Sequence, residues 1–103
     1  MANWVRVASV QDVGIGTARE AIAGERIVAL YNVEGQIHAM EALCPHQGGP
    51  LGQGKLNGRV VTCPWHGWQF DVTTGQHQAN PRLRQPCLPV KVEGDDIFVD
   101  VSE

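Results

Sequence analysis

Bulky and polar residues alternate along this chain in short runs separated by glycine-containing turns. Alternation with a period of two predicts half-buried β-strands. Residues 4–8 predict a first strand, residues 26–33 a longer one, and residues 36–40 its return across a tight turn at Glu34-Gly35. Further on, Lys55-Leu56 and residues 59–62 flank Asn57-Gly58, a strong hairpin signal. Residues 68–72 predict another short strand, ended by Thr73-Thr74-Gly75, and residues 88–92 with 97–101 predict a closing hairpin. Residues 18–23 are helix formers by composition, but the run is short and stops at Gly24. A helix of that length is marginal by itself, so a strand paired with the next one is expected. Many short strands and no persuasive helix predict an all-β sandwich or small barrel.

Between the strands lie three irregular stretches. Residues 41–54 hold Cys44, His46, Gly48, Gly49 and Pro50, a glycine density that lets backbone approach a bound centre closely. Residues 62–71 contain Cys63-Pro64-Trp65-His66-Gly67-Trp68. Each of these loops projects from a hairpin, the way a rigid β scaffold presents a site. Residues 76–86, with Asn80-Pro81, make a long connection of the kind that covers a site or moves. Gly14-Ile15-Gly16 resembles the start of a phosphate-binding glycine loop but lacks its third glycine and following apolar helix, and is expected to be a turn.

Composition narrows the picture. A chain of 103 residues predicts one domain, residues 1–103, with a single modest core. Its hydrophobic and charged fractions, 43% and 18%, are those of a soluble globular protein, and no apolar run is long enough for a membrane span. No secretory pattern opens the sequence, so a cytoplasmic location is expected. A formal net charge of -3 argues against nucleic acid, whose phosphates call for clustered Lys and Arg; a basic patch on a protein partner suits it better.

Three cysteines, two of them beside histidines, argue against a disulfide framework and for metal binding. Cys87 has no histidine nearby in sequence and is expected to be a buried, inert thiol. His38, at an alternating strand position outside both pairs, is expected on the surface or in a hydrogen bond rather than on a metal. Two thiolates and two imidazoles suit a structural zinc or a [2Fe-2S] cluster with cysteines on one iron and histidines on the other. Zinc sites usually pair like with like at wider spacing. Here each pair is mixed, and each loop would span two irons, which favours the cluster.

The segments Cys44-Pro45-His46-Gln47-Gly48-Gly49-Pro50-Leu51 and Cys63-Pro64-Trp65-His66-Gly67-Trp68-Gln69-Phe70 resemble those of the Rieske iron-sulfur family. The likeness extends over nearly the whole chain and resembles the small ferredoxins of bacterial ring-hydroxylating dioxygenase systems. It implies an antiparallel β-sandwich with a cluster-binding subdomain formed by two hairpin loops. It also implies one [2Fe-2S] cluster, with Cys44 and Cys63 on the inner iron and His46 and His66 on the outer iron nearest solvent. Asn80-Pro81 would cover the far side, and Pro45, Gln47, Pro64 and Trp65 would form an apolar collar. Gly48 and Gly67 are candidate backbone donors to the centre.

High-potential members carry an additional cysteine in each loop, where this chain has Gly49 and Trp65, and a serine and a tyrosine where it has Trp68 and Phe70. Hydrogen bonds to sulfur stabilise the reduced state, so their loss implies a potential near the low end of the Rieske range, roughly -150 mV. The implied activity is electron carriage from a flavin-containing reductase to a terminal oxygenase, without catalysis by this chain. His38 and His77 are the remaining histidines, and a separate oxygen-activating iron would need both of them to join a carboxylate and keep open positions; no such site is evident. A small subunit of a nitrite-reductase-like complex and a zinc-stabilised interaction module are the alternative readings.

Overall fold

A computed structural model describes residues 2–42, 50–65, 67–80 and 82–102. Ten strands follow in order: β1 Trp4–Ser9, β2 Ala18–Ala23, β3 Arg26–Val33, β4 Gln36–Glu41, β5 Lys55–Asn57, β6 Val60–Thr62, β7 Gln69–Asp71, β8 Cys87–Leu88, β9 Val90–Glu93 and β10 Asp96–Asp100. They form three sheets, ordered β1-β10-β9, β2-β3-β4-β8 and β5-β6-β7, and every pairing is antiparallel. Single 3-10 turns at Val10–Asp12 and Leu51–Gln53 are the helical elements among the described residues. The all-β expectation holds.

The four-stranded sheet is the middle layer, and β3 shows why. Its Val28 and Leu30 enter one core with Ala8, Val13, Ile97 and Val99, against the sheet of β1, β10 and β9. Its Ala29 and Tyr31 enter a second core with Met40, Leu51, Val61, Cys63 and Phe70, against the sheet of β5, β6 and β7. Alternate side chains point to opposite faces, so a strand apolar on both parities has to be covered twice. β2, despite its helical composition, pairs with β3 along its whole length from Ala18↔Tyr31 to Ala23↔Arg26. Pairing overrides weak local propensity.

Three details depart from expectation. The hairpin between β5 and β6 turns at Gly58-Arg59, because Asn57 is already paired with Val60; Gly58 takes φ +65°, which places the glycine at the first turn position. The run from Leu88 to Val92 is cut at Pro89: β8 joins β4, whereas β9 joins β10 in another sheet. Proline has no N–H to give the ladder, so the chain changes sheets there. In β1 the register shifts between Arg6 and Ala8, and Ala8 takes the fully buried place that strict alternation assigns to its neighbours.

The expected long connection is pinned rather than loose. Isolated bridges join Phe70 to His77 and Gln76 to Arg84. The Gln85 amide donates to the Gly75 carbonyl at 2.7 Å, and the buried Gln85 side chain donates from Nε2 to the Glu41 carbonyl at 2.7 Å. The Glu41 amide in turn donates to the Pro86 carbonyl at 2.9 Å, tying the end of β4 to this segment. Gly75 makes the crossing possible: its φ is +82°, and a Cβ there would run into the Gln85 carbonyl. Gly94 has a similar φ, +60°, with nothing within 4 Å of a Cβ. Gly75→Ala is therefore expected to cost roughly 1–3 kcal/mol or more and Gly94→Ala clearly less, checked by denaturant unfolding of both variants. Equal costs would mean that the crossing at Gly75 is not tight.

Candidate metal centre

The first loop is closed at its base by backbone. The Leu51 amide donates to the Ala42 carbonyl at 2.7 Å, and the Gln53 and Gly54 amides close the 3-10 turn that follows. A buried hydroxyl reinforces it: Tyr31 Oη donates to the Leu51 carbonyl at 3.1 Å. Burial, with the nearby Cys63 and Cys87 thiols adding to it, raises the Tyr31 pKa far above the ordinary phenol value, so this group stays a donor. Arg26 and Glu41 form a partly buried ion pair at the same end of the sheet. Cys44 and His46, with Pro45, Gln47, Gly48 and Gly49, lie outside the described residues.

The second loop is shorter and just as tightly closed. The Cys63 amide donates to the Trp68 carbonyl at 2.8 Å, and the Gly67 amide donates to the Cys63 carbonyl at 3.1 Å. Gly67 is thus a loop-closing residue, its N–H committed to Cys63 rather than held for the centre. Cys63 is 3% exposed and packs in the second core. At the tip Trp65 is 57% exposed and Pro64 is also exposed, which fits the apolar collar as far as it is described. His66 lies outside the described residues. Of the four expected ligands, Cys63 alone is therefore placed, and among the described residues no three metal-ligating side chains come together.

Two observations test whether these residues suit an inorganic centre. Cys63 is a buried thiol without a disulfide partner among the described residues, at the base of a loop that also carries a histidine. His77, buried beside that loop, has an Nε2 sealed from solvent with no hydrogen-bond partner among the described residues. A buried donor without an acceptor is costly. A soft sulfur ligand and an orphaned N–H on one side of a small sheet fit a sulfur-containing centre.

A family model described as the Rieske [2Fe-2S] domain matches residues 3–98. The chain belongs to the Rieske [2Fe-2S] family. The Rieske likeness extends to whole proteins. The ferredoxin component of a naphthalene 1,2-dioxygenase system from Pseudomonas aeruginosa is 33% identical over 101 residues, 97% of each chain. Among solved structures, a chain from the complex of reduced oxygenase and oxidized ferredoxin in carbazole 1,9a-dioxygenase is 32% identical, with a TM-score of 0.84 over 94% of this chain and 92% of that one. A proposed NADH-dependent nitrite reductase small subunit from Mycobacterium tuberculosis superposes with a TM-score of 0.89 over 100% of this chain and 98% of that one, at 22% identity, which carries the fold alone. The cofactor of this Rieske chain is a [2Fe-2S] cluster.

The other expected residues lie on strands of the middle sheet. His38 sits half-buried on β4, where burial lowers its pKa and Asp71 partly offsets the effect. Cys87 is not buried: it is exposed on β8, an edge strand of the middle sheet. Partial desolvation of its thiol nevertheless raises the pKa, with Arg84 opposing and Asp71 adding, which disfavours the reactive thiolate. Three residues gave no sequence signal of their role: Tyr31 and Gln85, defined by contacts distant along the chain, and His77, defined by its aromatic neighbours and two nearby amides.

Tyr31 supplies a direct check on how the first loop is held. Because the Leu51 carbonyl also accepts from the Gly54 amide, Tyr31→Phe leaves no orphan and should cost only about 0.5–1.5 kcal/mol in unfolding free energy. The same variant should lose iron to a chelator faster than the parent. An unchanged release rate would show that the hydroxyl does not secure the loop.

Proposed function

We propose that this chain is a low-potential Rieske ferredoxin, a single domain over residues 1–103 that carries one electron at a time from a flavin-containing reductase to a terminal ring-hydroxylating oxygenase. The observation that supports it best is the match, end to end, to a ferredoxin component of a dioxygenase system. In this reading Cys44 and Cys63 hold the inner iron, and His46 and His66 hold the outer iron. When bound, the cluster supplies reversible one-electron redox chemistry. The protein itself catalyses no reaction and works in the cytoplasm.

The chain's own residues have two tasks. One is to seal the buried side: Cys63, Phe70 and Leu51 exclude water there, and the backbone closures at Ala42–Leu51 and Cys63–Trp68 hold the loops. The other is to leave an exit: Trp65 and Pro64 present an exposed apolar tip beside His66, where a partner surface can dock and shorten the electron path. Two thiolates offset the charge of the oxidised core, so reduction adds a negative charge that N–H donors must meet in a low-dielectric site. Trp68 and Phe70 carry no hydroxyl to share that task, which keeps the potential low.

His46→Ala and His66→Ala should each abolish the Rieske optical and EPR signature of the purified protein while leaving the chain folded by circular dichroism. A normal Rieske spectrum in either variant would refute the ligand set. Isolation as a free protein able to pass electrons between separate partners fits the ferredoxin; obligate co-purification with a large catalytic subunit would contradict it.

A further inference from the structure

His77 is 9% exposed and held on every side that the structure describes. Its Nδ1 accepts from two backbone amides, Ala79 and Asn80, both at 3.0 Å. A nitrogen accepting hydrogen bonds carries no proton, so the ring carries its proton on Nε2. The ring stands edge-on to two aromatic neighbours, with centroids 4.7 Å from Trp68 and 5.2 Å from Phe70 and interplanar angles of 87° and 83°. Nε2 is thereby fixed in position, closed to water, and without an acceptor among the described residues.

The sheet register says which way this donor faces. His77 lies directly opposite Phe70, and opposed residues put their side chains on one face. Trp68 is two residues before Phe70 and shares that face, and the Cys63 amide bonds to Trp68 across the strand pair. Cys63 and Phe70 meet in the same core, with Trp68 packed against it. The ligand thiol and the orphaned N–H thus belong to one layer of the molecule.

We propose that His77 is a redox-tuning residue, its Nε2–H donating a hydrogen bond to sulfur of the centre on the Cys63 side. The inference rests on the cluster assignment. The bond moves no proton; it strengthens when the electron arrives, because sulfur then bears more negative charge. His77 places a buried ring N–H beside the ligand loop, where the side chains of Trp68 and Phe70 carry no hydroxyl. The two amides on Nδ1 are the positioning half of the device, and Nε2–H is the tuning half.

Two substitutions separate the halves. His77→Phe keeps a ring and loses both nitrogens; His77→Asn places Oδ1 where Nδ1 was and its NH2 where the ring carbon Cδ2 was, retaining the acceptor for Ala79 and Asn80 while removing the donor from the Nε2 position. In EPR-monitored redox titrations of the holoprotein, both variants should lower the equilibrium constant for reduction by roughly tenfold, about 59 mV for one electron. If Asn keeps the parental potential and Phe alone shifts it, the residue acts only by holding the loop and the proposal is overturned. Unchanged or raised potentials in both overturn it too. Should either variant fail to take up the cluster, pulsed EPR of the reduced parent labelled with nitrogen-15 histidine decides: a third, weakly coupled histidine nitrogen with an exchangeable proton supports the proposal, and its absence overturns it. A parent protein with no Rieske signal would instead sink the cluster assignment, and this inference with it.

Discussion

Burial of β3 on both faces is the constraint on which the rest of the molecule depends. With Val28 and Leu30 in one core and Ala29 and Tyr31 in the other, a slip of one residue would exchange every side chain between two differently shaped interiors. The register from Val28↔Glu41 to Val33↔Gln36 is therefore fixed. That register sets where β4 ends, where Ala42 presents its carbonyl to Leu51, and where Tyr31 meets the turn beyond the first loop. The site is assembled outward from a strand that contributes none of the four expected ligands.

The second core gives that scaffold its function. Cys63, Phe70 and Leu51 are core residues; in the proposed reading they are also the walls of the site, so sealing the centre from water and stabilising the fold are one act of packing. Polar groups in this layer are few and fixed: the Tyr31 hydroxyl on Leu51, the Gln85 amide on Glu41, and the His77 ring on Ala79 and Asn80. The first two tie together segments distant along the chain, and the third fixes a local turn. A centre that changes charge on reduction needs such rigidity, since fixed dipoles stabilise added charge without reorganising. The exposed tip at Pro64 and Trp65 is the opposite kind of surface, apolar and open.

Most of the strand pattern was legible because one-sided or two-sided burial leaves a periodic trace. β2 was legible only through its neighbour, since Ala18–Ala23 taken by itself reads as helix. The turn at Gly58-Arg59 was displaced by one residue because the Asn-Gly signal marks a glycine position, not which strand residue pairs last. Pro89 betrayed a break in the ladder but not that the two halves join different sheets. Cys87 was misplaced because thiols are usually buried, whereas β8 is an edge strand with one open side. The Cys/His spacing was informative at once, chemistry being local there; of the four, only Cys63 is among the described residues. Tyr31, Gln85 and His77 owe their roles to contacts that no local pattern encodes.

The central claim is that two cysteine-histidine loops hold a two-iron centre of low potential that takes up one electron. An anaerobic redox titration followed by EPR, repeated across pH on protein of known iron and sulfide content, tests it most directly. The account predicts a Rieske signal from a single one-electron transition near the low end of the family's range, roughly -150 mV and level around neutral pH. A high potential that falls steeply near neutral pH, or a colourless protein holding zinc in place of iron and sulfide, would contradict it.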